Sequence, residues 1–152
     1  MNFIKAEKAN ARQIYDLVQH TIKNIYPLYY TPETVAFFCE HHGLESIIKD
    51  IENENTYITG ENGVIYGTIT FCENYIARLF VAPEFQNRGI GGFLLNEAEK
   101  KISESFNKIN LDASLAAVCF YEKSGYKTFR HERIKTHGGY MLIYDVMEKS
   151  LE

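Results

Sequence analysis

The run Val81-Ala82-Pro83-Glu84-Phe85-Gln86-Asn87-Arg88-Gly89-Ile90-Gly91-Gly92 leaves an apolar strand, breaks at a proline and resumes as a glycine-rich helix start. The segment before it, Tyr75 to Val81, has strand composition, and after it apolar residues recur at Ile90, Leu94, Ala98, Ile102 and Phe106, the spacing of one helix face. A helix therefore begins near Gly89. Its first backbone N–H groups have no partner within the helix and sit at the positive end of its dipole, so an anion is their natural occupant. Glycines at 89, 91 and 92 remove the Cβ atoms that would hold a phosphate away. The whole reads as a pyrophosphate cradle.

The spacing is not the dinucleotide fingerprint G-x-G-x-x-G, because Leu94 stands where the third glycine belongs, and no Gly-Lys-Ser/Thr follows as a nucleotide-triphosphate loop requires. Gln86-x-x-Gly89-x-Gly91 preceded by Val81-x-Pro83 instead resembles the acyl-CoA loop of the GNAT superfamily of N-acyltransferases. A second block, Ala117-Val118-Cys119-Phe120-Tyr121-Glu122-Lys123-Ser124-Gly125-Tyr126, is similar to that family's A-x-x-F-Y-E-K-x-G-F/Y motif. Order and separation fit, and the resemblance covers nearly the whole chain.

A length of 152 residues suits a single domain, 1–152, with a core large enough to need neither metal nor disulfide. Apolar residues make up 45%, with 11 Tyr, 10 Phe and no Trp, which is globular rather than disordered. Net charge is −4 and the pI near 5.8, so the basic face expected of a nucleic-acid binder is missing. Three cysteines, Cys39, Cys72 and Cys119, are odd in number and suit reduced thiols in a cytoplasmic protein. No apolar run has membrane-spanning length and no signal-peptide pattern opens the chain. His41 and His42 are adjacent and point to different helix faces, and no His or Cys spacing matches a metal site.

Along the chain, Asn2 to Glu7 reads as a first strand, and Asn10 caps a helix carrying Ile14, Leu17, Val18, Ile22 and Ile25 on one stripe up to Pro27. Thr31 and Pro32 start a second helix that Gly43 is placed to close. Leu44 to Glu52 forms a third. Strands Thr56 to Thr59 and Val64 to Phe71 join across Glu61-Asn62-Gly63, a hairpin signal, and Cys72-Glu73-Asn74 turns into the fourth strand. A fifth strand, Lys108 to Asp112, is followed by a short helix from about Ser114 to Ser124 ended by Gly125. Tyr126 to Ile134 and Tyr140 to Met147 close the chain as a strand pair around Thr136-His137-Gly138-Gly139. The class is α+β, and the resemblance implies a three-layer α/β/α GNAT fold whose mixed, mostly antiparallel sheet splays between strands 4 and 5.

It also implies acetyl-CoA as co-substrate, without metal, and roles for particular residues. Leu79 and Val81 match the edge that pairs with the pantetheine arm, and an N–H near Leu79 or Phe80 faces the carbonyl oxygen as it gains charge. Gln86, Asn87, Arg88, Gly89, Ile90, Gly91 and Gly92 anchor the pyrophosphate, with Arg88 an adjacent cation. Phe120 belongs to the same cofactor set, and Lys123 reaches the 3′-phosphate. Ser114 stands where relatives often carry Asn against pantetheine; it is equally an N-cap residue. Tyr121 occupies the general-acid position, the alternative being an aromatic packed on the sheet. An alkylamine with a pKa of about 10.4 must lose a proton before attack; Glu73 is the candidate base, with ordered water as rival. Tyr26, Tyr29, Tyr30 and His41 lie where the family builds its acceptor pocket, and equally suit a helix interface. The expected activity is acetyl transfer to a primary amine of a small molecule or peptide, with a homodimer compatible; a non-catalytic acyl-CoA sensor is the competing class.

Overall fold

The computed structural model describes residues 1–136 and 138–152; the Thr136–Gly139 connection expected from sequence therefore includes one residue, His137, outside the described ones. Seven strands form one sheet in the order β1-β2-β3-β4-β5-β7-β6. They are β1 (Ile4–Lys5), β2 (Thr56–Glu61), β3 (Val64–Cys72), β4 (Tyr75–Val81), β5 (Lys108–Ser114), β6 (Lys127–Lys135) and β7 (Met141–Ser150). The helices are α1 (Ala11–Ile25), α2 (Pro32–His41), α3 (Leu44–Glu52), α4 (Ile90–Ser103) and α5 (Val118–Lys123). All neighbours run antiparallel except β4 and β5.

The expected apolar stripes do the packing. Ile14, Leu17, Val18 and Ile22 of α1 join Ile47 and Ile51 of α3 and Phe38 of α2 in a core on one face of the sheet. Leu94, Leu95, Ala98 and Ile102 of α4 meet Ile69, Ile109, Leu111 and Met147 on the other. Helices on both faces of a sheet give three layers.

Several boundaries differ from the sequence expectation for local reasons. Gly43 does not end α2 in a left-handed turn; its φ is −74° and it is the N-cap of α3, while His42 closes α2. Only Ile4 and Lys5 of the first strand pair, with Tyr57 and Ile58. Helix α4 stops at Ser103, leaving Phe106 exposed. Ser114 is the last residue of β5 and α5 starts only at Val118 with Ala117 as its N-cap, so Ser114 caps nothing. Asn62 and Gly63 both take positive φ, as the predicted hairpin demands.

One irregularity positions the site. In the β3–β4 ladder Thr70 faces Arg78 but Phe71 faces Ile76, so Ala77 is an extra residue, a β-bulge. The bulge reverses facing along β4: Ile76 packs with the α4 core, whereas Phe80 packs with the α1–α3 core. Arg78 is buried there too. Its Nη1 donates to Asp50 Oδ2 at 2.9 Å, its Nε to His42 Nδ1 at 3.2 Å, and further bonds reach Thr70 and Ser46. Burial first, then the Arg78 and His41 charges, holds the His42 imidazole down to about 3, so it is a neutral acceptor.

Candidate active site

β4 and β5 pair only at Tyr75–Asn110 and Ile76–Leu111, and the bulge at Ala77 follows at once. Beyond it the strands separate into a cleft of about 610 Å³. Ala82 N–H donates to Tyr66 O on the β3 side, and backbone groups alternate along an antiparallel strand. The amides and carbonyls of Leu79 and Val81 therefore point into the gap, while those of Phe80 point to β3. Of the two N–H groups expected to serve a carbonyl oxygen, Leu79 is the one on the open edge.

The gap runs into the start of α4. Pro83–Phe85 makes one 3₁₀ turn, Asn87 and Gly89 take φ of 62° and 81°, and Gly89 is a left-handed N-cap that supplies no side-chain cap. Phe93 N–H is the first to find its helical acceptor, Gly89 O. The N–H groups of Ile90, Gly91 and Gly92 have no backbone or capping partner among the described residues. A Cβ on Gly91 would lie 3.3 Å from the Phe120 ring, so glycine eases the close approach of α4 to α5 here. Together these donors, with no capping group in front of them, fit a diphosphate. The Gln86 side chain donates to Val81 O at 3.0 Å; it folds the loop back on its own strand.

Tyr121 lines the cleft from α5. Its ring stands edge-on to Phe120 and Tyr126, and its hydroxyl makes no side-chain hydrogen bond among the described residues. Burial, with smaller contributions from Tyr26 and Tyr75, pushes its phenol above the ordinary range. At neutral pH it is an uncharged phenol.

Most of the expected cofactor set meets in this one cleft: Leu79, Phe80, Val81, Gln86, Asn87, Gly89, Ile90, Gly91, Gly92, Ser114, Phe120 and Lys123 all line it. Arg88 does not; its guanidinium lies 5.4 Å from the Phe85 ring centre. Among the expected acceptor residues Tyr26 lines the cleft and is buried, its phenol pushed up to about 12 by burial and partly relieved by the Ser114 hydroxyl. Tyr30 is committed elsewhere. Its hydroxyl accepts from Leu115 N–H at 2.7 Å and donates to Ile143 O at 2.9 Å, tying the end of β5 to β7. Tyr29 is exposed, and His41 stacks on Phe37. Glu73 is not brought to the cleft: it is exposed in the β3–β4 turn, on the closed side of the β4–β5 junction, with φ of 54°. Sequence reading missed Thr21 and Ile25, which line the cleft from α1; their i, i+4 spacing marked one helix face but not what that face would meet.

No group of three or more potential metal-ligating side chains occurs among the described residues, and no described helix is long and apolar enough to cross a membrane.

The acetyltransferase (GNAT) domain model matches residues 28–143. The uncharacterized N-acetyltransferase YafP of Escherichia coli (strain K12) is 28% identical over 113 residues, 74% of this chain and 71% of that protein. A GCN5-related N-acetyltransferase from Rhodopseudomonas palustris superposes with a TM-score of 0.90 at 21% identity, over 99% of this chain and 95% of the other. PaiA N-acetyltransferase from Thermoplasma acidophilum, solved in complex with coenzyme A, superposes with a TM-score of 0.77 at 20% identity, over 98% of each chain. A strand parted from its parallel neighbour and aimed at an uncapped, glycine-rich helix start thus coincides with a family match over most of the sequence: the chain belongs to the GNAT acetyltransferases.

Proposed function

We propose that the protein transfers an acetyl group from acetyl-CoA to a primary amine by direct attack, within a single catalytic domain. The observation that carries this reading is the open edge of β4 leading into the unpartnered N–H groups of Ile90, Gly91 and Gly92. Those amides hold the diphosphate. Leu79 and Val81 align the pantetheine arm as an added strand, and Leu79 N–H faces the thioester oxygen as it gains charge. Lys123, at the outer end of α5, answers the 3′-phosphate.

Tyr121 donates to the sulfur as the C–S bond breaks. A thiol has a pKa of about 8.5, below that of the buried phenol, so Tyr121 gives its proton to the sulfur only as thiolate develops and is reprotonated at once. Orientation of the two reactants supplies the larger share of the acceleration. Thiol release from acetyl-CoA with a panel of primary amines tests the reading. Tyr121→Phe is expected to lower kcat about tenfold to a hundredfold with the calorimetric Kd for acetyl-CoA unchanged; tight binding with no turnover across the panel identifies a sensor instead.

A further inference from the structure

The cleft contains no carboxylate, and Glu73 lies outside it, yet an ammonium must give up a proton before it can attack. One carboxylate stands at the apex of the gap. Asp112 is the first β5 residue past the last β4–β5 pair, Ile76–Leu111, and lies on the same strand face as Ser114, two residues on, which lines the cleft. That offset is about 7 Å.

Tyr75 reaches it. Although Tyr75 pairs with Asn110, its hydroxyl donates to Asp112 Oδ2 at 3.1 Å, so the ring leans along β5 toward the gap. The Tyr75 hydroxyl is also close enough to Tyr121 to disfavour its phenolate. On the other side, Tyr144 of β7 sits opposite Ser114 and feels the Asp112 charge. Asp112 Oδ1 has no hydrogen-bond partner among the described residues, and the carboxylate is exposed on the sheet face opposite α4. Glu132, the other acid near Tyr144, is paired with Arg130.

We propose that Asp112, held by the Tyr75 hydroxyl, receives the acceptor's aliphatic ammonium and takes its proton at the apex of the β4–β5 gap. A free carboxylate oxygen, its partner oxygen fixed by the Tyr75 hydroxyl, matches a primary ammonium in charge, size and hydrogen bonding. The inference rests on the transferase reading above. The ammonium gives one proton to Asp112 Oδ1; the neutral nitrogen then bonds to the carbonyl carbon and the C–S bond breaks. A second proton leaves the nitrogen as thiolate is protonated through Tyr121, and Asp112 returns its proton to water. An amide, a free thiol and one proton result.

The test compares Asp112→Asn with the parent protein on n-butylamine, 1,4-diaminobutane, spermidine and lysine amide, and on benzoyl hydrazide, whose terminal nitrogen is already neutral at neutral pH. Asp112→Asn is expected to lower kcat/KM about a hundredfold on the aliphatic amines and less than about tenfold on the hydrazide. Its circular dichroism and acetyl-CoA affinity should match the parent. Tyr75→Phe, which keeps the ring and loses the 3.1 Å bond, should give the same selectivity at smaller amplitude. Equal turnover of amines by Asp112→Asn and an active parent overturns this inference and leaves the transferase reading standing. A parent protein that binds acetyl-CoA but turns over no amine overturns both.

Discussion

The two edges of β4 are treated in opposite ways. Toward β3 the strand is paired from Tyr75 with Cys72 to Val81 with Gly67, apart from the bulge at Ala77; toward β5 only Tyr75 and Ile76 pair. An unpaired edge invites collapse or pairing with another chain, so a strand that keeps one open needs to be held from elsewhere. Arg78 does this from below. Its guanidinium fastens the middle of β4 to α3 through Asp50 and to the end of α2 through His42. The closed edge and the buried arginine make β4 rigid; the open edge is then preformed rather than induced. Substrate binding avoids the cost of ordering it.

Perturbing the anchored side should cost stability without touching selectivity. Asp50→Ala leaves the Arg78 charge buried and is expected to lower unfolding free energy by about 3 kcal/mol in urea titrations, with KM values of the surviving folded fraction unchanged. On the open side the effect should invert. Gly91→Val places two methyl groups between the Phe120 ring and Val81, 3.3 Å and 3.6 Å from the position of its Cβ, narrowing the cleft at the helix start. Acetyl-CoA affinity should fall about a hundredfold, roughly 2.7 kcal/mol, at nearly unaltered melting temperature.

His42 sharpens the contrast through pH. Its folded-state pKa is depressed to about 3 from 6.5, so its contribution is fully present above 6.5 and is lost as the unfolded chain takes up a proton below that value. Stability should drop by about 2.7 kcal/mol of this origin on going to a pH of roughly 4.5. In His42→Gln that increment should be missing from the pH dependence of urea midpoints. The smallest expected effect divides the two sides within one residue: Gly92 lies in the first turn of α4, and a Cβ there meets nothing within 4 Å. Gly92→Ala should stabilise the helix by about 1 kcal/mol while its methyl, on the cleft wall, weakens acetyl-CoA binding severalfold.

What the sequence made legible was the part built from backbone. Gly89, Gly91 and Gly92 mark a close approach in any chain, and the apolar periods on either side of them state that a strand meets a helix. The place of Tyr121 on the cleft wall was legible through its neighbours in one short block. Side-chain assemblies drawn from distant segments were not. Nothing local to Asp112 separates it from other exposed acids; its position depends on the bulge at Ala77, on where β4 and β5 part, and on a tyrosine 37 residues away. Tyr30 shows the converse. Its place in an aromatic run suggested a pocket lining, whereas its hydroxyl is consumed by Leu115 and Ile143, partners fixed only by the final strand order. The Arg78 network escaped for the same reason: an arginine inside a strand signals burial only once α2 and α3 are folded over it.

The proposed acetyl transfer requires the open edge of β4 and the free amides at the start of α4 to receive one extended ligand. Amide hydrogen exchange with and without acetyl-CoA tests that residue by residue. Exchange should slow at Leu79, Val81 and Ile90 through Gly92 when acetyl-CoA is added, with no change in the β2–β3 hairpin around Gly63. Protection absent from those amides, or appearing instead at the hairpin, would contradict it.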